Sequence, residues 1–256
     1  MSELPLLALA ALVAGFVDAV AGGGGLIQVP ALFNALPAEA PATIFGTNKG
    51  SSIVGTANAA WRYARRIAIP WEVALPAAVS AFAFSFAGAA TVAWLPKDVV
   101  RPLVLVMMVL VVVYTALKPD LGRGEEVSRA KSRTAPAALA VGAALGFYDG
   151  FFGPGAGSFM IFAFVTLFGL DFLRASSAAK VVNLATNGAA LVFFIPSGHI
   201  LWPIALAMAV FNAAGAFVGT RLALRHGSGF VRWVFLGLST ILIAKFGYDT
   251  VFAQIK

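Results

Sequence analysis

The sequence predicts an all-α, multi-pass membrane protein built from two homologous halves in an inverted repeat. Each half is expected to hold an interrupted, re-entrant helix pair followed by three full transmembrane helices, about 8–10 membrane helices in all. Three observations predict this. The chain is 60% apolar and 11% charged, with a mean hydropathy of +0.90, and its apolar runs are about as long as a bilayer is thick. The stretch Gly15-Phe16-Val17-Asp18-Ala19-Val20-Ala21-Gly22-Gly23-Gly24-Gly25 returns as Gly146-Phe147-Tyr148-Asp149-Gly150-Phe151-Phe152-Gly153-Pro154-Gly155-Ala156. Most Lys and Arg residues gather in short segments between the apolar runs, as flanking residues of the inner leaflet do.

The offset of 131 residues from Asp18 to Asp149 runs through the chain without a gap. It pairs Pro5 with Pro136, Phe33 with Phe164, Lys49 with Lys180 and Trp71 with Trp202. Two long copies suit a duplicated transporter, whereas a solenoid would need several short repeats.

Taken in order, the first half begins with an interrupted stretch, Leu4 to Ala21 and Leu26 to Leu36, split by the glycines. Full spans are expected near 43–62, 71–95 and 99–117. Residues 119–134, with Asp120, Arg123, Glu125, Glu126, Arg129, Lys131 and Arg133, read as a polar cytoplasmic linker. It divides a first transmembrane repeat, 1–118, from a second, 135–256. The second repeat is expected to place its interrupted stretch at 136–152 and 157–169 and its spans near 175–195, 202–221 and 230–252. The first apolar run follows neither a basic leader nor a cleavage site and is expected to be retained.

Charge decides between one crossing and a return at each interrupted stretch. A single crossing makes the halves parallel and divides the flanking cations 9 to 6. A return inverts them: Arg62, Arg65, Arg66, Lys118, Arg123, Arg129, Lys131, Arg133, Arg174, Arg221, Arg225 and Arg232 then face the cytoplasm, against Lys97, Arg101 and Lys256 outside. The positive-inside rule favours the inverted arrangement.

Four successive glycines, or Gly-Pro-Gly, stop a helix, since each glycine costs about 1 kcal/mol relative to alanine and proline about 3. Backbone freed in this way must be buried in protein or line a watery cavity. The helices that restart there aim bare amides and a positive dipole end at the break, which attracts anions. The candidate substrate-binding glycines are Gly22, Gly24 and Gly25, with Gly153 and Gly155 in the second copy. Lys49 and Lys180 occupy equivalent places in the following helices, and an intramembrane charge needs a partner, for which Asp18 and Asp149 are the candidates. Ser51, Ser52 and Thr56 in one copy, and Asn183, Thr186 and Asn187 in the other, supply hydrogen bonds near the lysines. The residues alone therefore indicate a basic pocket for a small anion.

Other features have simpler readings. Gly215-Ala216-Phe217-Val218-Gly219 suits close helix packing, Lys245 snorkels to an interface, and the five tryptophans fall at helix ends as an aromatic belt. There is no cysteine, and His199 and His226 both lie near helix ends. That leaves little for a metal site, a cofactor or a catalytic triad. The net charge of +7 comes without an aromatic-interleaved soluble module, so nucleic acid is not an expected partner.

At the duplicated Gly-x-x-Asp-(Gly/Ala)-x-x-Gly-x-Gly element, Gly15 to Gly24 and Gly146 to Gly155, the chain resembles the TauE/SafE family of sulfite exporters, also called the toluene sulfonate uptake permease family. The Lys180, Asn183 and Asn187 run with its Lys49 counterpart adds to the likeness, which extends over nearly the whole length. The first copy departs from the second at Ala19 for Gly150 and Gly23 for Pro154. The resemblance implies a carrier in the bacterial inner membrane for sulfur oxyanions or organosulfonates such as sulfite or thiosulfate. A secondary transporter is expected, with lysines and amides binding the anion, and with Asp18 and Asp149 supporting the cycle or coupling it to H+ or Na+. A passive anion channel is the alternative. An intramembrane enzyme fits poorly, because Ser51 and Ser52 have only Lys49 as a neighbouring base. The sequence leaves the oligomeric state open.

Overall fold

The computed structural model describes residues 3–96, 99, 106 and 134–253, without the side chains of 232, 235, 236 and 238–253. The expected span near 99–117 and the linker at 119–134 fall almost wholly outside the described residues. The elements are α1 (Leu4–Ala21), α2 (Gly25–Ala35), α3 (Pro41–Ala64), α4 (Trp71–Trp94), α5 (Thr134–Phe151), α6 (Ala156–Phe168), α7 (Phe172–Phe194) and α8 (Trp202–Ala253), with no strand among the described residues. The protein is an all-α, multi-pass membrane protein. Helices α1, α4, α7 and the Trp202–Val231 part of α8 are long and apolar enough to cross a bilayer. Helices α2 and α6, with 11 and 13 residues, extend only about 16–20 Å at 1.5 Å per residue and cannot.

The element bounds follow local chemistry. Pro5 and Pro41 sit in the first turns of α1 and α3, where the missing N–H would have had no helical partner. Asp171 caps α7, its Oδ1 accepting from the amides of Leu173 (2.9 Å) and Arg174 (3.0 Å). The two spans expected near 202–221 and 230–252 are two helices that abut at a kink at one non-helical residue, Gly227 at φ 72° and ψ −167°. A loop of several residues was the expectation there. One glycine in the left-handed region turns the chain by itself.

The halves exchange partners. Helix α1 packs along the first part of α8, and α5 packs along α4. Both seams are made by glycines against backbone: Gly15, Gly215 and Gly219 press on Asn212, Leu12 and Phe16, while Gly142, Gly146 and Gly150 press on Ala77, Ala81 and Ser85. Small residues let membrane helices approach this closely, and dispersion does the rest. Along each seam the residue numbers rise together, so both pairs are parallel. The two helices that follow the breaks run in opposite directions, with Gly46 of α3 beside Phe194 of α7 and Thr56 bonded to Asn187.

Helix α2 folds back on α1, so that Leu32 joins Leu7, Ala11, Ile44 and Met208 in one apolar cluster. Helix α6 does the same against α5, with Met160, Ile161 and Phe164 meeting Ala138. A polar middle is left between greasy ends. Along α3 the order is Phe45, then Asn48 to Thr56, then Tyr63; along α7 it is Val182, then Asn183 to Asn187, then Ala190.

The glycine seams give a paired prediction for thermal unfolding in detergent. Gly146→Leu, which must displace the backbone at Ala81, is expected to cost about 1–3 kcal/mol. Gly188→Ala, where a methyl group meets nothing within 4 Å, is expected to be neutral or to stabilise by up to about 1 kcal/mol.

Candidate functional site

Helix α1 stops at Gly22, φ 76°, whose amide donates to the Asp18 carbonyl. Helix α2 restarts at once: Leu26 donates to Gly23 (3.0 Å), and Ile27 and Gln28 donate to Gly24 (3.0 and 3.1 Å). The amides of Gly23, Gly24 and Gly25 find no acceptor among the described residues. In the second copy Gly153 and Gly155 take φ 91° and 79°, and the Tyr148 hydroxyl donates to the Pro154 carbonyl at 2.6 Å.

The two breaks touch. The Ser158 amide donates to the Gly22 carbonyl (3.1 Å) and its hydroxyl to the Ala21 carbonyl (2.7 Å). The positive end of α6 thereby meets the negative end of α1. This differs from the sequence picture, in which both restarted helices aim bare amides at a ligand. The start of α2 keeps its amides free, whereas that of α6 spends part of its donor capacity on α1.

Each lysine reaches into the other half. Lys49 Nζ lies 2.7 Å from Asp149 Oδ1 and Lys180 Nζ 2.8 Å from Asp18 Oδ2. The Thr186 hydroxyl donates to the second Asp149 oxygen. Both lysines are buried, and the pairs differ in access: the Asp18 side chain is 23% exposed and that of Asp149 6%. In such surroundings an unpaired charge is expensive, which explains the pairing.

Between the pairs lies a cavity of about 30 Å³, room for little more than a water or two. Asp18, Gly22, Gly24, Gly25, Lys49 and Ser52 line it from the first half, with Asp149, Gly153, Asn183 and Asn187 from the second. The structure thus gathers most of the residues singled out in the sequence. Ser51, Gly155 and Lys180 stand behind this wall. Ser51 is fully buried with its hydroxyl unpartnered, and Lys180 touches the cavity only through Asp18.

Of three further lining residues, Asn48, Gly157 and Asn212, the sequence reading reaches only Gly157, near the restart of the second short helix, and not as a binding residue. Under the 131-residue offset their counterparts are Ala179, Leu26 and Ala81, so a search guided by the repeat passes over them. For Asn212 an available signal was an amide in the middle of an apolar span. Its Nδ2 donates to Gln28 Oε1 at 3.0 Å, while Gln28 Nε2 and Asn48 Oδ1 remain buried and unpartnered. No group of three or more His, Cys, Asp or Glu side chains that could hold a metal ion occurs among the described residues.

The model of the sulfite exporter TauE/SafE family matches residues 7–246. The chain belongs to the TauE/SafE family. Relatives include the probable membrane transporter protein YfcA of Escherichia coli K12, 36% identical over 247 residues, which are 96% of this chain and 90% of that one. The probable membrane transporter protein ORF9 of Sinorhizobium sp. is 35% identical over 243 residues, covering 94% and 91%. A probable membrane transporter protein of Haemophilus influenzae Rd is 32% identical over 237 residues, covering 93% and 91%. No solved structure matches the chain. As a TauE/SafE protein it is a member of a membrane-transporter family, and the paired charges and polar cavity lie where its two helix breaks meet.

Thermal unfolding in detergent checks the exchanged ion pairs. Lys49→Met leaves Asp149 buried without its ammonium and is expected to destabilise by about 3–5 kcal/mol. Lys49→Met combined with Asp149→Leu removes both charges and is expected to recover most of that loss.

Proposed function

We propose that the protein is a secondary carrier for a small sulfur-containing oxyanion, such as sulfite or thiosulfate, and that the cavity between the two breaks, widened as the Lys49–Asp149 pair opens, is its binding site. The observation that carries this is Lys49, whose ammonium faces the cavity while bonded to Asp149 of the opposite repeat. An arriving anion competes for that ammonium and for the bare amides of Gly24 and Gly25. Asn183 and Asn187 add amide donors from the facing helix. Breaking the Lys49–Asp149 pair also releases a bond that ties one half to the other, so binding loosens the contact that holds the halves in register.

Charge balance supports a coupling role for Asp18 and Asp149. Two lysines and two aspartates leave the empty centre neutral, and an added anion makes it negative in a region where net charge is costly. Protonation of Asp18 or Asp149, or a co-bound Na+, offsets a monoanion such as hydrogensulfite, and a dianion such as thiosulfate needs two such positive charges. Among the described residues apolar clusters flank the polar middle on either side, an arrangement that suits a gated carrier.

We further propose that the halves are inverted in the membrane, with the Arg62 and Arg221 ends cytoplasmic and the bacterial inner membrane as the site of action. The opposed directions of α3 and α7, the returning α2 and α6, and the arginine distribution support this.

Flux into proteoliposomes tests the assignment. Lys49→Met is expected to reduce sulfite uptake to background, and Lys180→Met to reduce it at least tenfold, while both insert; wild-type flux in both would remove the site. Counterflow is expected in the wild type, and its absence would favour a channel. With no native cysteine, Ser197→Cys and Arg66→Cys are expected to react with an impermeant reagent from opposite faces.

A further inference from the structure

At the end of α3 and along α8, five arginines line a single open groove of about 980 Å³: Arg62, Arg65, Arg66, Arg221 and Arg225. No carboxylate lines it, and none of the five pairs with a carboxylate among the described residues. The fixed cations are also shaped. The Arg62 guanidinium stacks 3.8 Å from the Phe217 ring centroid and donates from Nε to Asn58 at 2.7 Å. That of Arg65 lies 4.9 Å from the Trp61 ring centroid. Stacking leaves the remaining N–H groups of both arginines directed away from the rings and available for an oxyanion.

The position of the groove identifies its occupant. On α8, Leu206, Val210 and Phe217 are exposed at helical spacing, 60%, 68% and 38% respectively, and Arg221 and Arg225 continue that row at i+4 steps. Exposed Val54 and Trp61 lead to Arg65 on α3 in the same way. An apolar row on a membrane helix faces acyl chains, so the arginines at its end sit at headgroup depth. The groove is separate from the substrate cavity, because buried Ala19, Ala59 and Ala216 pack together between them and Tyr63 closes on the Ala19 carbonyl at 3.1 Å.

We propose that this groove is a binding site for the phosphate of an anionic phospholipid, with the glycerol and upper acyl chain against Phe217 and Trp61. The site is independent of which solute the carrier moves. Its arginines fall in the cytoplasmic set of the inverted arrangement, where anionic headgroups attract basic residues.

The test uses the full chain in phosphatidylcholine nanodiscs doped with brominated phosphatidylglycerol, with brominated phosphatidylcholine as the comparison. The readout is Trp61 emission, obtained by subtracting a Trp61→Phe variant. Brominated phosphatidylglycerol is expected to quench Trp61 at a lipid fraction at least about tenfold below that needed with brominated phosphatidylcholine. Arg65→Gln/Arg66→Gln/Arg221→Gln/Arg225→Gln is expected to abolish the difference, and Arg221→Gln alone to reduce it several-fold should the fourfold variant fail to insert. Inorganic phosphate at millimolar concentration is expected to leave the quenching unchanged. Equal quenching by the two lipids overturns the proposal, as does a difference that survives the substitutions. Displacement by inorganic phosphate also overturns it, marking the groove as a site for a soluble anion.

Discussion

The structure depends on one constraint: an ammonium or a carboxylate placed among apolar helices must find its opposite. Lys49 and Lys180 find theirs in Asp149 and Asp18, each across the boundary between halves. Neither half is electrically satisfied alone. Pairing within a half would have left two separable bundles, whereas exchanged pairing makes the centre a property of the whole chain. The glycine seams follow the same exchange, α1 on α8 and α5 on α4, so packing and charge draw the halves together along the same lines.

Much of this was legible in the sequence because the determinants are local or repeated. A glycine run inside an apolar stretch stops a helix wherever it sits, and the observed ends at Ala21 and Phe151 lie within one residue of those expected. The 131-residue offset brought Asp18, Lys49, Asp149 and Lys180 into consideration together, and the structure joins them in pairs. What escaped lacks a repeated partner. Asn48 and Asn212 face Ala179 and Ala81 under the offset, and only three-dimensional packing sets Asn212 beside Gln28. The use of the α6 start to cap α1 was equally hidden, since Ser158 and Gly22 are far apart in sequence and form no motif. The single-residue break at Gly227 was legible as a break but not in its brevity, because composition reports that a helix is interrupted and not how many residues the turn consumes.

The two copies also differ at several positions that touch the cavity. Serine and threonine at 52 and 56 stand opposite Asn183 and Asn187, and Gly55 stands where the other half has Thr186, whose hydroxyl holds Asp149. The space left by Gly55 is taken by the Asn212 side chain. One aspartate is thus braced by a hydroxyl and enclosed, while the other is more open to its surroundings. Duplication supplied the frame, and substitutions within it distinguish the two sides of the centre.

The Asn212–Gln28 contact has an energetic consequence for a carrier of this build. In such a carrier, two identical halves would make the states opened toward either compartment equivalent by a two-fold rotation and equal in energy. An amide pair present on one side only, facing Ala81 and Phe159 on the other, removes that degeneracy. In a carrier of that kind the unloaded protein would rest with one mouth favoured, and solute arriving from the other side would first have to overcome that bias.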